Sequence, residues 1–288
     1  MPPIMHIEVP GRGDVDVKSA FIEGLPFFAI KIASGFYGNA ARNLPAGSAM
    51  MVLLNSETGF CEAVMLDNSY LTDLRTGLAG AVAAKYLAPA STETVGVLGT
   101  GTQARYQVHC LRLVREFRRV IVWGRSAEKA RAYAGDLQKG GDFDVSVAAS
   151  VEEVVRACDI LITTTPSERP LVRAAWLREG QHITAVGADF PGKQELEAEA
   201  LLKADRLVCD RLSQCRENGE LQHVMREGQL PDGLQVVELG ELTTGKKRGR
   251  QSQAQLTVCD LTGTGVQDTA IANLAYAAAL RADLGLMV

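Results

Sequence analysis

From residue 94 onward, short apolar runs alternate with longer stretches of helical spacing. TVGVLG (94–99) precedes a helical pattern reaching about Glu116, and RRVIVWG (118–124) precedes SAEKARAYAGDL. DVSVAAS (144–150) leads into SVEEVVRACD, where Ser150 and Glu153 stand at capping-box spacing. ILITTTP (160–166), HITAVGA (182–188) and RLVCD (206–210) read as further strands. These runs are nearly continuous in Val, Ile and Leu rather than alternating, which suits parallel strands covered on both faces. The strand–helix rhythm predicts an α/β fold: right-handed βαβ units in a doubly wound parallel sheet.

The first ninety residues have a different pattern. MHIEVP, GDVDVKSAF, FFAIKIASGF, SAMMVLLNSETG and GFCEAVMLDN read as strands separated by Gly, Pro and Asn, with SETG (56–59) as a hairpin turn. They predict a mostly antiparallel sheet. A helix follows, LTDLRTGLAGAVAAKYLAP, whose Gly77, Ala79, Gly80, Ala81, Ala83 and Ala84 favour close packing against another backbone. The tail is a second Ala-rich helix, with Ala270, Ile271, Leu274, Ala277 and Ala278 near helical spacing. It is expected to pack on the 71–87 helix. The predicted organisation is a discontinuous α+β domain, 1–90 with 264–288, into which an α/β domain, 91–263, is inserted.

Composition narrows the classes. Of 288 residues, 47% are hydrophobic and 22% charged, enough for a sizeable core, and the formal net charge of -4 offers no broad basic field for nucleic acid or anionic lipid. GKKRGR (245–250) is short and Gly-broken and reads as a solvated loop. The six cysteines form no C-x-x-C and no metal-ligand spacing with His, so buried thiols in a reducing cytoplasm are expected and no metal. No signal peptide and no apolar run of membrane-spanning length is evident.

VGVLGTGTQA (95–104) places Gly99, Gly101 and Ala104 as G-x-G-x-x-A between a predicted strand and a predicted helix. The first glycine permits the tight turn, the second lets a pyrophosphate approach, and the small third residue lets helix and strand pack. The helix start then offers free amides to an anion. The 91–263 domain is therefore expected to bind a dinucleotide. The second strand ends in Arg125 and Ser126 where an acid would read a ribose 2′-hydroxyl. Arg125 pairs with a 2′-phosphate, or stacks flat on adenine, or faces solvent; the first reading leans the expectation to NADP(H) over NAD(H). Thr163, Thr164 and Thr165 close the fourth strand at the edge where such crevices open.

Lys31 interrupts the apolar run in LPFFAIKIASGF (25–36). An ammonium in apolar surroundings is costly without a partner. Either Lys31 snorkels from an edge strand, or it is held for an anion.

Taken together, IKIASGF with Lys31, LTDLRTGLAGAVAAKYLA with Arg75, VGVLGTGTQA, VIVWGRS, ILITTTP, AVGADFPGKQEL with Asp189, ELGEL and DLTGTGVQDTAIA resemble the ornithine cyclodeaminase/mu-crystallin family over nearly the whole chain. VDVKSAF, LPFFAIK and MLDNSYLTDLRT are most similar to the branch holding ectoine-utilisation cyclodeaminase-like proteins and iminosuccinate reductases. The resemblance implies a Rossmann domain, a substrate-binding and dimerisation domain, a cytoplasmic homodimer, and chemistry at the α-carbon of small amino or imino acids. Family members usually carry a longer N-terminal segment and, just past it, often an arginine that helps hold a carboxylate; Arg12 and Lys18 are the cations nearby, and neither is a firm match.

Three activities fit that resemblance. The first is NAD(P)H-dependent reduction of an imino acid, or of an oxo acid with an amine, to an L-amino acid. The second is an ammonia-releasing cyclodeaminase that recycles its NAD⁺. The third is a non-catalytic small-ligand-binding protein. Arg75 is expected on the substrate carboxylate, with a surface ion pair to Asp73 or Glu62 as its other reading. Lys31 is expected on the carboxylate or as proton donor to nitrogen. Asp189 is expected on the ammonium or iminium, or as a base, or merely as a helix cap. The implied cofactor positions are Gly99, Thr100, Gly101, Thr102 and Gln103 in the loop, Arg125 and Ser126, the three threonines, Val186 and Gly187 after the fifth strand, and Gly265 at the tail helix. Asp268 is a weaker candidate, readable as an acid favoured by the first-turn dipole. His109 and His182 are expected to do no chemistry.

Overall fold

The computed structural model describes residues 1–225 and 232–286. It separates into two compact units, Met1–Arg75 with Thr264–Val288, and Thr76–Gly263.

The first unit is built on an antiparallel meander: β1 (Met5–Val9), β2 (Gly13–Ala20), β3 (Phe27–Gly35), β4 (Gly47–Asn55) and β5 (Cys61–Met65), paired in that order. At the β4–β5 turn, Asn55 Oδ1 accepts from the amides of Glu57 (2.9 Å) and Thr58 (3.1 Å), and Gly59 takes a positive φ of 73°. β3 is the middle strand, so Lys31 has no sheet edge from which to reach water. Helix α1 (Tyr70–Leu87) follows. The division between the units falls inside α1, after Arg75, rather than beyond the helix at residue 90. The small face of α1 explains this: Ala79, Ala83 and Leu87 join Val186, Val208, Val237 and Cys259 in one core.

The second unit contains β6 (Thr94–Leu98), α2 (Thr102–Leu111), β7 (Arg119–Trp123), α3 (Ala127–Gln138), β8 (Asp144–Val147), α4 (Val151–Ala157), β9 (Ile160–Thr163) and β10 (Glu168–Val172). It continues with β11 (His182–Ala185), β12 (Gln194–Leu196), α5 (Ala198–Leu202), β13 (Arg206–Cys209), α6 (Leu212–Asn218), β14 (Val236–Glu238), α7 (Leu239–Thr243) and β15 (Thr257–Asp260). Eight strands pair in parallel in the order β14-β13-β15-β11-β9-β6-β7-β8, and β10 pairs with β12 separately. Ile160 and Ile162 pack in one core while Leu161 packs in another, as a strand covered on both faces requires. Strand order reverses between β6 and β9, and in open sheets of this kind ligands bind outside the carboxyl ends at that point.

Several elements depart from the pattern reading. Helix α2 stops at Leu111, because the amides of Val114 and Arg115 turn back onto the Leu111 carbonyl at 3.0 Å each. The Arg115 guanidinium is then spent on the carbonyls of Ala84, Lys85 and Ala88 at the end of α1. β15, in the middle of the sheet, is four residues, TVCD, too short and too mixed to announce itself. β14 has three residues, and β10 carries Pro170 and is largely exposed.

The tail helix α8 (Gly265–Arg281) lies in the first unit, against the sheet. Thr269 Oγ1 donates to the Ala20 carbonyl (2.6 Å) and accepts from the Ala29 amide (3.0 Å), and Asn273 Nδ2 donates to the Phe27 carbonyl (2.9 Å). Ala29, Met51, Leu53 and Ala272 form the core beneath it, and α1 enters through Leu71. The main support of α8 is thus the β2–β4 face rather than the 71–87 helix. Among the described residues, no helix is long and apolar enough to cross a membrane.

Candidate functional site

The carboxyl ends of β6, β7 and β9 enclose a cavity of about 320 Å³. Its lining includes Gly99, Thr100, Gly101, Arg125, Ser126, Lys129, Thr164 and Thr165. Gly99 holds φ 115°, and a Cβ there would strike the Thr164 hydroxyl. Gly101 is different: a Cβ there would meet nothing of the protein within 4 Å. Its own fold does not demand that glycine, which suits a guest that does. Gly101 starts α2 without a side-chain cap, and the start of a helix is a place that attracts an anion. Ala104, the third small position, is fully buried, and its carbonyl accepts from Tyr133 at 2.9 Å.

Arg105 braces the loop, donating to the carbonyls of Thr100 (2.8 Å) and Gly101 (3.2 Å) and to Asp136 (2.7 Å). Ser126 caps α3 by accepting from the Lys129 amide at 3.2 Å. Lys129 therefore stands beside Arg125 in the lining, a second cation that the motif reading did not single out. The cradle, the capless helix and the two cations fit the diphosphate and sugar of a dinucleotide.

Behind this wall lies an acid that the sequence reading missed. Glu195, on β12, is fully buried. Its Oε1 accepts from the Thr165 amide (2.6 Å) and its Oε2 from the Gly187 amide (3.0 Å). Burial raises its pKa to about 7, against hydrogen bonds from Thr163, Thr165 and Gly187 that lower it. A side chain on Gly187 would collide with Glu195 and the Thr165 carbonyl. Val186 is buried in the core, with its amide on the Thr163 carbonyl at 3.0 Å.

The first unit holds a separate charged cluster. Lys31 is 1% exposed, Arg75 7% and Asp268 0%. Lys31 Nζ lies 3.2 Å from Asp268 Oδ2, and Arg75 Nε lies 2.9 Å from Asp268 Oδ1, off the hydrogen-bond axis. Arg75 Nη1 donates to Gln267 Oε1 at 2.9 Å. The surface-pair reading of Arg75 does not describe it, since the guanidinium is buried. Lys18 sits opposite Lys31 in register and is 7% exposed, with Asp16 at 3.8 Å. Burial pushes the Lys31 ammonium down to about 7; the Arg75 charge adds to this, Asp268 opposes it, and Lys18 lowers it further. Asp268 is the member whose importance local sequence did not reveal.

The remaining candidates lie elsewhere. Asp189 follows β11 in the second unit, half-exposed, and pairs with Lys193 at 2.6 Å. A turn and β12 follow it, so it caps no helix. Gly265, in the first unit, abuts the Ser19 backbone, which by itself requires a glycine there. His182 is buried between the Thr257 (2.9 Å) and Thr184 (3.0 Å) hydroxyls, with its pKa pushed down to about 3 by burial and then by the charges of Arg250 and Arg115. His109 is exposed, its ring edge-on to Phe143 at 5.5 Å.

A doubly wound sheet with a glycine cradle at its switch point, and a separate unit burying a cation pair around one acid, define a protein of the Rossmann fold class. The chain belongs to the ornithine cyclodeaminase/mu-crystallin family, whose model matches residues 1–283. It is 47% identical over 277 residues to y4tK of Sinorhizobium fredii, an uncharacterized cyclodeaminase, covering 96% of this chain and 84% of that one. It superposes on an archaeal alanine dehydrogenase dimer with bound NAD at a TM-score of 0.92 and 38% identity, covering 100% and 88% of the two chains. It superposes on Thermococcus litoralis Δ1-pyrroline-2-carboxylate reductase in complex with NADH and L-proline at a TM-score of 0.94 and 31% identity, covering 100% and 89%.

Proposed function

We propose that this protein is a nicotinamide-dependent oxidoreductase that reduces a small imino acid, or an oxo acid with an amine, to an L-amino acid. The observation that carries the reading is the buried Lys31–Asp268–Arg75 cluster. Two cations share one internal carboxylate, and the guanidinium keeps Nε off the hydrogen-bond axis. A substrate carboxylate is the group such a pair accepts best. Lys31, with its pKa near 7, can carry a proton to the nitrogen. Asp189 serves the substrate nitrogen in this reading, exchanging its Lys193 contact for it. When bound in the β6–β9 crevice, the dinucleotide supplies the hydride that reaches the carbon bearing nitrogen. The relatives that bind NAD, or NADH with L-proline, support this assignment.

The test is a screen of oxo acids with ammonia or methylamine, and of cyclic imino acids, with NADH and NADPH. Net oxidation of the reduced cofactor is expected, with Arg75→Ala raising KM for the acid and Asp189→Asn slowing turnover by about 10²-fold. Arg125 and Lys129 favour the 2′-phosphate, so NADPH is expected to be preferred and Arg125→Ala to erase the preference; equal use of both by the wild type would remove that part. The likeness to a cyclodeaminase supports a second reading. It predicts ammonia release from ornithine with no net change in cofactor. Binding of cofactor with no turnover of any acid would leave the ligand-binding reading.

The reading includes a homodimer. Met5, Val17, Ile32 and Met50 line up across four strands, with Ile30, Val52 and Val64 beside them, on the sheet face turned away from Lys31. Met5 is 61% and Val64 55% exposed, an apolar face of the kind that marks an interface. Sedimentation is expected to show a dimer for the wild type and monomers for Ile32→Glu. A dimeric variant would place the interface elsewhere.

A further inference from the structure

Glu195 takes two amides that stand on different strand ends. Thr165 follows β9, in the cavity wall with Thr164 and Pro166; Gly187 follows β11. Neither amide is held in the ladder of the main sheet; both are part-buried, and an amide withdrawn from water without an acceptor is costly. One carboxylate satisfies both, with an oxygen for each. The carboxylate is itself fixed from behind. Glu220, also fully buried, accepts from the Glu195 amide (2.8 Å) and the Leu196 amide (3.1 Å), and Asp260 accepts from the Leu221 amide (3.0 Å). Three buried acids thus run in sequence from the middle of the sheet to the cavity wall. Asp260 and Glu220 each take main-chain amides at or beside the following acid, so each sets where the next one stands, and Glu195 ends the series on the Thr165 and Gly187 amides. Burying carboxyls is expensive, and a hydrophobic core at this place would be cheaper.

We infer that Glu195 is a positioning residue for the dinucleotide: by holding the Thr165 and Gly187 amides together it sets the wall formed by Thr164, Thr165 and Pro166 against the bound cofactor. The inference deepens the oxidoreductase reading and rests on it. Glu195 touches neither reacting atom nor phosphate; it acts through the wall.

Glu195→Gln keeps the shape but offers one acceptor oxygen where two are needed, and turns an NH₂ toward the other amide. The dissociation constants of NAD(H) and NADP(H), read by fluorescence titration of the purified full chain, are expected to rise about tenfold, the loss of one charge-assisted hydrogen bond. KM for the acid at saturating cofactor is expected to stay put. Asp159→Asn is the control: Asp159 takes the Glu93 and Thr94 amides on one oxygen and the Arg178 guanidinium on the other, at the amino ends of the strands, so it neutralises an amide-holding carboxylate away from the cavity. Its dissociation constants are expected to match the wild type. Wild-type cofactor affinity in a folded Glu195→Gln, or an equal loss in Asp159→Asn, overturns the inference. If Glu195→Gln does not fold, hydrogen exchange on the wild type decides. The Thr165 and Gly187 amides should slow together on adding NAD⁺, and separate responses overturn the coupling. A wild type that binds no dinucleotide at all defeats the underlying reading instead.

Discussion

Lys31→Met is expected to cut turnover by at least about 10²-fold while the dinucleotide binds as before. Met matches the length of the lysine stem and fits the same slot between β2 and β4, so the change removes the ammonium and little volume. Asp268 keeps Arg75 as its partner, so no uncompensated acid is left. The variant should be at least as stable as the wild type, because a buried ammonium whose pKa has fallen from 10.5 to about 7 costs folding free energy. A lysine retained for structure would show the reverse, loss of stability with activity kept. The pH profile gives a second readout. If Lys31 delivers the proton, imine reduction should slow as pH rises through about 7 and the reverse oxidation should quicken. A reduction rate that stays flat from pH 6 to 9 would remove Lys31 from proton transfer and leave it as a carboxylate contact.

The glycine loop was legible because everything it requires is local: Gly99, Gly101 and Ala104 lie within six residues, between one strand and one helix. Lys31 was legible as an oddity, because an ammonium among Phe and Ile breaks a pattern. Its partner was not. Asp268 opens a helix at the far end of the chain, where an acid is ordinary, and only the packing of α8 on β3 brings the two together. Glu195 was hidden for the opposite reason. In GKQEL it sits among polar residues and nothing in the local pattern singles it out, yet β12 pairs with β10 and Glu195 is buried. Asp189, in the same stretch, looked the better acid and is half-exposed on Lys193. Continuous Val and Ile runs announced β6, β7 and β9. β15 escaped because its four residues gain strand character from neighbours on both sides, which no window of sequence contains.

Asp268→Asn should be the most damaging single change in the first unit, and its cost should depend on pH. The substitution is nearly isosteric, so packing under α8 is kept while Lys31 and Arg75 lose their shared countercharge. Breaking a buried pair in this way costs about 3–5 kcal/mol. Lys31 can escape part of it by giving up its proton. Asp268 raises the Lys31 pKa, so its removal lets that pKa fall below about 7 while the unfolded value stays near 10.5. Wherever pH lies between the folded and unfolded values, the unfolded chain binds the extra proton and stability rises with pH. For the variant that window opens at lower pH than for the wild type. The gap between the two proteins should therefore be widest below the variant's window, narrow as pH climbs toward about 7, and hold constant above that, with the Arg75 contribution persisting throughout. Urea unfolding of both proteins at about pH 5 and 8.5 measures it. Turnover should fall as well, since the lysine loses its proton at the working pH and the guanidinium loses the contact that aims it. Equal unfolding midpoints at both pH values would mean that the cluster carries no net charge coupling. Asp268 would then be a helix-start acid and nothing more.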